Sequence, residues 1–116
     1  MGKKILVIDD ESIVIETIKE VCEIIGHDVV GFTDPVQGQR AGQSSDFDVI
    51  VLDLRMPHRN GAEVTREILS AKPDAKILIN TGHSGDPLAR QAMEAGALRL
   101  LRKPFEIANL IEFLER

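Results

Sequence analysis

The sequence predicts an α/β fold: a three-layer sandwich built on a doubly wound, five-stranded parallel sheet. Short apolar runs of strand length alternate along the chain with segments of helical periodicity. The strand-like runs are apolar on both faces, which is typical of parallel strands covered by helices on both sides. Right-handed crossovers between such strands give the doubly wound arrangement, in which ligands bind beyond the carboxyl ends of the strands.

Each strand is predicted from a short apolar run bounded by polar or turn-forming residues. The second run is more polar than the others, so we expect it near an edge of the sheet. The third is apolar throughout its middle, as expected of a strand with helices on both sides. The predicted strands span residues 3–9, 27–32, 47–53, 76–80 and 97–102.

The helices are predicted from apolar residues at helical spacing and from signals at their ends. The first, over residues 12–25, carries an apolar stripe and is followed by Gly26, which suits a helix end. Asp-Pro pairs at residues 34–35 and 86–87 predict the starts of the second and fourth helices. Gly38 and Gly42 weaken the prediction of the second helix. The third helix is expected over residues 62–71, the fourth up to residue 95 and the fifth over residues 105–116.

The composition indicates one globular domain over residues 1–116, with no effector domain in this chain. A length of 116 residues and a hydrophobic fraction of 43% suffice for a single buried core. The formal net charge of −5 argues against direct binding of nucleic acid or of an anionic membrane surface. The lone cysteine and the lack of a signal peptide or a membrane-spanning run lead us to expect a cytoplasmic protein.

Acidic residues stand at the carboxyl ends of two predicted strands. Asp9 and Asp10 follow the first apolar run, and Asp53 ends the third. If these strands are neighbours, three carboxylates share a small volume, and like charges so close disfavour one another. Mg²⁺ suits such a site because it binds one or two carboxylates together with water and phosphate oxygens. The pattern therefore predicts a Mg²⁺ site associated with phosphoryl chemistry.

Asp53 is the candidate nucleophile, because a carboxylate can form an acyl phosphate. An incoming phosphoryl group is anionic, and two unit charges ~4 Å apart interact by roughly 4 kcal/mol at an effective dielectric of about 20. Lys103, just after the fifth strand, is the candidate cation that offsets this repulsion. Thr81, just after the fourth strand, is the candidate hydroxyl donor to a phosphoryl oxygen. From the sequence, a helix-capping role for Asp9 and Asp10 stays open.

The chain resembles the receiver domain of bacterial two-component response regulators along essentially its whole length. The matching motifs are short and individually weak, but together, in this order and at these strand ends, they are highly specific. They are Val7-Ile8-Asp9-Asp10-Glu11, Leu52-Asp53-Leu54-Arg55-Met56-Pro57, Asn60-Gly61, Thr81-Gly82, Gly96-Ala97 and Lys103-Pro104-Phe105.

The resemblance implies that Asp53 is the phosphoacceptor and that a sensor histidine kinase is the donor. It implies Mg²⁺ ligation by Asp10, by Asp53 and by the backbone carbonyl of Arg55, with Asp9 acting mainly through a bound water.

For the two remaining site residues, the resemblance implies that Lys103 pairs with the phosphoryl group and that Thr81 moves toward it as the switch. A cis Lys103–Pro104 peptide is expected to aim the lysine into the site.

The same resemblance implies a flavodoxin-like sheet with strand order 2-1-3-4-5. The domain is expected to catalyse its own phosphotransfer and slow dephosphorylation rather than to act as a conventional enzyme. Its output is expected to be a contact with a downstream effector protein or domain that the sequence does not identify. A homodimer through the face formed by helix four, strand five and helix five is also compatible with the resemblance.

Two features depart from the family pattern or tune it. The position three residues before the lysine, often Tyr or Phe in receiver domains, is Leu100, and Arg99 precedes it. We therefore expect phosphorylation to be retained, and the face formed by helix four, strand five and helix five to serve as the output face with altered coupling. Arg55 and His83 each lie two residues beyond a site residue, and we expect their replacement to change the dephosphorylation rate more than the Mg²⁺ affinity.

Three other functions are weighed against this interpretation. A degenerate receiver would act as an interaction scaffold that does not depend on phosphorylation; the intact acids oppose it, and Leu100 lends it slight support. A flavodoxin-like cofactor module would need a phosphate-binding loop after the first strand, where acidic residues would repel a flavin phosphate. A phosphatase-type hydrolase would need a second acid just after the nucleophile, and Leu54-Arg55 supplies none.

Overall fold

A computed structural model describes residues 2–83, 85–103 and 107–115. Within these residues, strands and helices alternate as predicted. The predicted boundaries of the last helix, at residues 105 and 116, and the Lys103–Pro104 peptide lie outside the described residues. The elements are β1 (Lys4–Ile8), α1 (Ser12–Ile24), β2 (Asp28–Phe32), α2 (Pro35–Ser44), β3 (Val49–Asp53), α3 (Gly61–Ala71), β4 (Ile77–Thr81), α4 (Pro87–Ala95), β5 (Arg99–Arg102) and α5 (Ile107–Leu114).

The five strands form one parallel sheet in the order β2-β1-β3-β4-β5, which confirms the predicted fold and strand order. The more polar β2 lies at an edge, as expected. The direction of winding reverses between β1 and β3, where Ile8 is in register with Leu52. The residues that follow, Asp9 and Asp53, are therefore brought together at the point where such sheets bind ligands.

Two aliphatic cores lie on opposite faces of the sheet. One is closed by α1 and α5, the other by α2, α3 and α4, which completes the three layers. Because apolar side chains line both faces of the central strands, the sheet is buried on both sides. None of the described helices is long and apolar enough to cross a lipid bilayer.

Helix α2 forms despite its two glycines because they allow close packing. A Cβ added at Gly38 would lie 2.7 Å from Ile8 Cγ1, and one at Gly42 would lie 2.7 Å from Ile68 Cδ1. Tertiary packing thus overrides the low helix propensity of glycine. Helix α1 ends at Ile24, one residue earlier than predicted, and Ile25 is 48% exposed.

Candidate active site

An open cleft of about 510 Å³ lies at the carboxyl ends of β1, β3, β4 and β5. It brings together most of the site residues predicted from separate strand ends, and the buried carboxylate of Asp9 adjoins it through Lys103. Its lining consists of Asp10, Glu11, Asp53, Leu54, Arg55, Thr81, Gly82, His83, Asp86 and Lys103.

Three carboxylates cluster at the base of this cleft. Asp9, Asp10 and Asp53 each place a carboxylate oxygen within 4.8 Å of the others. Asp9 and Asp53 are buried, whereas Asp10 is exposed. The inner carboxylates are fixed by local backbone: Asp9 Oδ1 accepts from Glu11 N at 2.9 Å, and Asp53 Oδ1 accepts from Leu54 N at 2.8 Å. These contacts hold the acids over the sheet edge.

The acidic residues after β1 do not serve mainly as helix caps. Helix α1 begins at Ser12, and its N-cap residue, Glu11, makes no capping hydrogen bond with its side chain. Instead, Glu11 Oε1 lies 3.2 Å from Lys103 Nζ. The acids of this segment therefore face the cleft.

Lys103 supplies the positive charge of the cluster. Its Nζ lies 3.2 Å from Asp53 Oδ1 and 3.3 Å from Asp9 Oδ2. The backbone N–H of Lys103 donates to Thr81 O at 2.8 Å, which continues the pairing of β5 with β4 and fixes the start of the side chain. Only 19% of the lysine side chain is exposed, so this pairing is partly shielded from solvent.

Burial and mutual repulsion oppose ionisation of the inner acids. Burial, and then the charge of Asp9, raise the pKa of Asp53 to about 7, although Lys103 acts in the opposite direction. Burial also raises the pKa of Asp9. Burial alone would lower the pKa of Lys103, but the charges of Asp53 and Asp9 outweigh it and raise the pKa to about 12. One lysine thus leaves the acidic site short of positive charge.

The cluster fits a Mg²⁺ ion by its chemistry. Its donors are carboxylate oxygens, the hard ligands that Mg²⁺ prefers. Asp9 Oδ2 is buried and makes no hydrogen bond within the described residues, although Lys103 lies nearby. The oxygen is thus paired by charge with Lys103 but has capacity left to accept a hydrogen bond, for example from a water of a bound ion.

Thr81 lies in the cleft, but its hydroxyl is engaged with its own loop. Its Oγ1 accepts from His83 N at 3.1 Å and lies 3.3 Å from His83 O, to which it donates. The side chain is buried, with 4% of the residue exposed. To meet a new acceptor at Asp53, the hydroxyl must exchange its donor bond to His83 O for one toward the cleft.

The side chain of Arg55 does not cover Asp53. Its guanidinium makes a bidentate ion pair with Asp86, with Nε–Oδ2 at 2.6 Å and Nη2–Oδ1 at 2.8 Å. Asp86 is the N-cap of α4, and its Oδ1 also accepts from Leu88 N. This pair joins the loop after β3 to the start of α4 across the cleft.

The turn after β3 holds that loop tightly against Asp53. Gly61 N donates to Leu54 O at 2.7 Å, and a Cβ at Gly61 would lie 2.6 Å from Asp53 O. Asn60 caps α3 and forms a reciprocal capping box with Glu63. Only glycine therefore fits at the second position of the Asn60-Gly61 motif.

Leu100 lies on β5, at the position where the family resemblance leads one to expect Tyr or Phe. It is half-buried and packs against the core beneath α3 and α4. Two pairings were not predicted from the sequence: Glu11 pairs with Lys103, and Asp86 pairs with Arg55. The sequence predicts only that Asp86 starts a helix, and no local pattern indicates a partner 31 residues away.

Comparisons with known proteins agree with this arrangement. A family model described as the response regulator receiver domain matches residues 5–115. The chain is 28% identical to the chemotaxis protein CheY of Thermotoga maritima, over 100% of this chain and 98% of CheY. It is 34% identical to the transcriptional regulatory protein FixJ of Bradyrhizobium diazoefficiens, over 96% of this chain and 54% of FixJ, so it spans about half of that regulator.

Solved structures show the same fold. The receiver domain of the sensor histidine kinase PA1611 from Pseudomonas aeruginosa, solved with a magnesium ion in its active-site cleft, superposes with a TM-score of 0.89. The two are 27% identical, and the match covers 100% of this chain and 97% of that one. Since the family match runs from the first strand to the last helix, the chain belongs to the response regulator receiver domain family.

Proposed function

We propose that the chain is a phosphorylation-controlled switch in two-component signalling. Asp53 accepts a phosphoryl group from a phosphohistidine of a sensor histidine kinase in a Mg²⁺-dependent reaction. The change then alters contacts with a downstream effector protein or domain. The observation that carries this proposal is the buried Asp53 carboxylate. Lys103 Nζ lies 3.2 Å from it, and Asp9 and Asp10 each place a carboxylate oxygen within 4.8 Å of one of its oxygens.

The chemistry is a displacement at phosphorus by a carboxylate oxygen. A bond forms between Asp53 Oδ and phosphorus as the phosphorus–nitrogen bond to the imidazole breaks. The electron pair of that bond leaves with the imidazole nitrogen. The transfer therefore needs no added oxidant or reductant. Lys103 stabilises the charge on the phosphoryl oxygens. The Thr81 hydroxyl gives up its hydrogen bond to His83 O and donates one to a phosphoryl oxygen instead.

Asp10, Asp53 and the backbone carbonyl of Arg55 are the proposed Mg²⁺ ligands, with Asp9 acting through a bound water. When bound, the ion supplies positive charge that offsets repulsion between the acids and the phosphoryl group. The carboxylate cluster supports this assignment, and Asp9 Oδ2, which makes no hydrogen bond within the described residues, can accept one from such a water.

The partners follow from the proposed chemistry. The histidine kinase is the donor, and the effector is a protein or a domain that responds to the phosphorylated form. The domain is proposed to work in the cytoplasm, where kinase and effector are accessible, and its net charge of −5 argues against direct binding to nucleic acid.

Intact-mass spectrometry tests the proposal. The protein is incubated with acetyl phosphate and Mg²⁺, and we expect a mass increase of one phosphoryl group. The increase disappears in Asp53→Asn and when Mg²⁺ is chelated. Asp46→Asn serves as the matched control, because it removes an exposed carboxylate paired with a different lysine, Lys72.

The same measurement distinguishes the scaffold alternative. If the wild-type protein gains no mass with any phosphodonor and Mg²⁺, the proposed switch is wrong. Binding of a partner by the unmodified protein, unchanged in Asp53→Asn, would then identify a degenerate receiver that acts as a scaffold.

A further inference from the structure

Asn80 is a buried polar residue that the proposed chemistry does not yet use. It lies in β4 with 1% of its surface exposed. Neither its Oδ1 nor its Nδ2 has a hydrogen-bond partner within the described residues. A primary amide offers two donors and an acceptor, and buried amides normally satisfy at least part of this capacity. Asn80 therefore has hydrogen bonds to make in some other state of the site.

The sheet places Asn80 beside the phosphoacceptor. Asn80 is in register with Asp53 on β3 and with Leu101 on β5. Side chains alternate between the faces of a strand, and Leu78 and Val51, two residues before Asn80 and Asp53, lie in the same core beneath α1 and α5. Asn80 and Asp53 therefore share one face, on strands about 4.8 Å apart.

Lys103 passes the same place. Strand β4 lies between β3 and β5, and Lys103 starts just beyond β5. Its Nζ reaches 3.2 Å from Asp53 Oδ1, at the end of β3. The lysine side chain must therefore extend across the carboxyl-terminal part of β4, where Asn80 is the residue before the last. A residue that only filled this core would be apolar, as its neighbours Leu78 and Leu101 are.

We propose that Asn80 is a positioning residue for phosphoryl transfer. Its Nδ2 donates to a carboxylate oxygen of Asp53, and its Oδ1 accepts from the ammonium of Lys103, after rotation of the side chains into contact. The bridge holds the nucleophile and its counter-charge in a fixed relation while the other Asp53 oxygen faces the donor. This inference rests on the proposed function, because it assigns Asn80 to the phosphorylation of Asp53.

Two variants that lack the amide separate positioning from packing. Asn80→Leu fills the space with apolar atoms, so we expect stability equal to or above wild type. Asn80→Ala leaves a cavity, so we expect lower stability. Both remove the same hydrogen bonds, so both are expected to slow phosphorylation by acetyl phosphate and Mg²⁺ about tenfold. Thr65→Val is the matched control, because it removes another buried, unpartnered polar atom, on α3 over the opposite core.

The measurements are the phosphorylation rate by intact mass at low and saturating donor, and the free energy of unfolding in urea. The proposal is supported by a rate loss in both Asn80 variants at saturating donor and a normal rate in Thr65→Val, with Asn80→Ala less stable than wild type and Asn80→Leu at least as stable. Wild-type rates in either folded variant, or rates that follow stability alone, overturn it while the proposed function stands. A wild-type protein that accepts no phosphoryl group overturns both.

Discussion

Asp53 is held where its charged form is least favoured. It is 6% exposed and shares its surroundings with a second buried acid, Asp9. Desolvation and like charge both favour the protonated carboxyl, and Lys103 offsets them only in part. The residue is therefore poised to gain from any added positive charge, which is what a phosphoryl-accepting carboxylate needs.

The raised pKa of Asp53 predicts a pH-dependent stability difference between wild type and Asp53→Asn. The folded-state pKa of about 7 exceeds the ordinary value of 3.8. The stabilisation from protonated Asp53 is therefore full below the unfolded pKa and is lost as the pH rises through the folded pKa. In buffer with EDTA, the unfolding free energy of Asp53→Asn minus that of wild type should increase by roughly 2–3 kcal/mol from about pH 5 to about pH 8.

Urea unfolding at both pH values measures that gain. Asp46→Asn is the control, since Lys72 lowers the pKa of Asp46 and its effect is confined to acid solution. A constant difference between wild type and Asp53→Asn across the range would show that Asp53 ionises normally in the folded state.

Asp10 is expected to contribute to Mg²⁺ binding without being needed for folding. It is exposed, so Asp10→Asn is expected to fold normally while removing one carboxylate from the cluster. At a tenfold excess of Mg²⁺ over the dissociation constant, binding should stabilise wild type by about 1.4 kcal/mol. Thermal melts with and without Mg²⁺ should show this increase in wild type and a smaller one in Asp10→Asn. Equal increases in the two proteins would place the ion elsewhere.

Much of the cluster could be predicted from sequence, since parallel strands end at one edge. Asp9, Asp10, Asp53 and Thr81 follow strand-like runs, so topology alone brings them close. The partner of each side chain could not be predicted in this way. The ion pair of Arg55 depends on how two loops fold back over the cleft, which no local periodicity encodes.

At the scale of elements, α4 and α2 begin with the same signal in different surroundings. Each starts with an Asp N-cap followed by Pro, and each Asp accepts a hydrogen bond from the backbone two residues on. Only Asp86 also binds an arginine, and this hydrogen-bonded pair with Arg55 lowers its pKa. Helix α4 is thereby attached to the loop that carries the proposed metal ligand.

Replacement of the two caps should therefore have unequal effects. Asp86→Ala removes the cap and the ion pair, Asp34→Ala removes a cap alone, and Arg55→Ala removes the pair alone. We expect the loss of unfolding free energy to be greatest for Asp86→Ala and least for Arg55→Ala, because the Arg55 side chain is largely exposed and an ion pair open to solvent contributes little by itself. Chemical denaturation of the three variants measures the order. A loss in Arg55→Ala as large as that in Asp86→Ala would contradict it.

The elements were predictable because pattern and packing agree, and the errors occur at their ends. Helix α3 begins at Gly61 rather than Ala62, because Asn60 and Glu63 form a capping box. The sequence predicts helix α2 least strongly, because glycine has a low helix propensity. That propensity does not indicate the close approach to Ile8, which only glycine at position 38 allows.

In the whole molecule, the cleft adjoins the expected output face, formed by α4, β5 and α5, at the end of β5 and the start of α4. Thr81 ends β4, and Leu100 of β5 packs against the core beneath α4. Because position 100 carries no aromatic ring, the proposed switch needs another link between Thr81 and this face. The Arg55–Asp86 pair offers one, since it links the cleft directly to the start of α4.

Amide chemical shifts test whether the change spreads. On addition of beryllofluoride and Mg²⁺, a phosphoryl mimic, we expect shifts in α4 and β5 as well as in the loops around Asp53. The shifts in α4 should diminish in Arg55→Ala. Shifts confined to those loops in the wild-type protein would show that the α4–β5–α5 face does not respond.

The most direct test of the central claim is to locate the phosphoryl group. The protein is phosphorylated with acetyl phosphate and Mg²⁺, the acyl phosphate is reduced with borohydride, and peptides are sequenced by tandem mass spectrometry. Reduction converts a phosphorylated aspartate to homoserine. We predict homoserine at position 53 alone. Homoserine at another carboxylate, or none in a protein that has gained phosphoryl mass, would contradict the assignment of Asp53 as the phosphoacceptor.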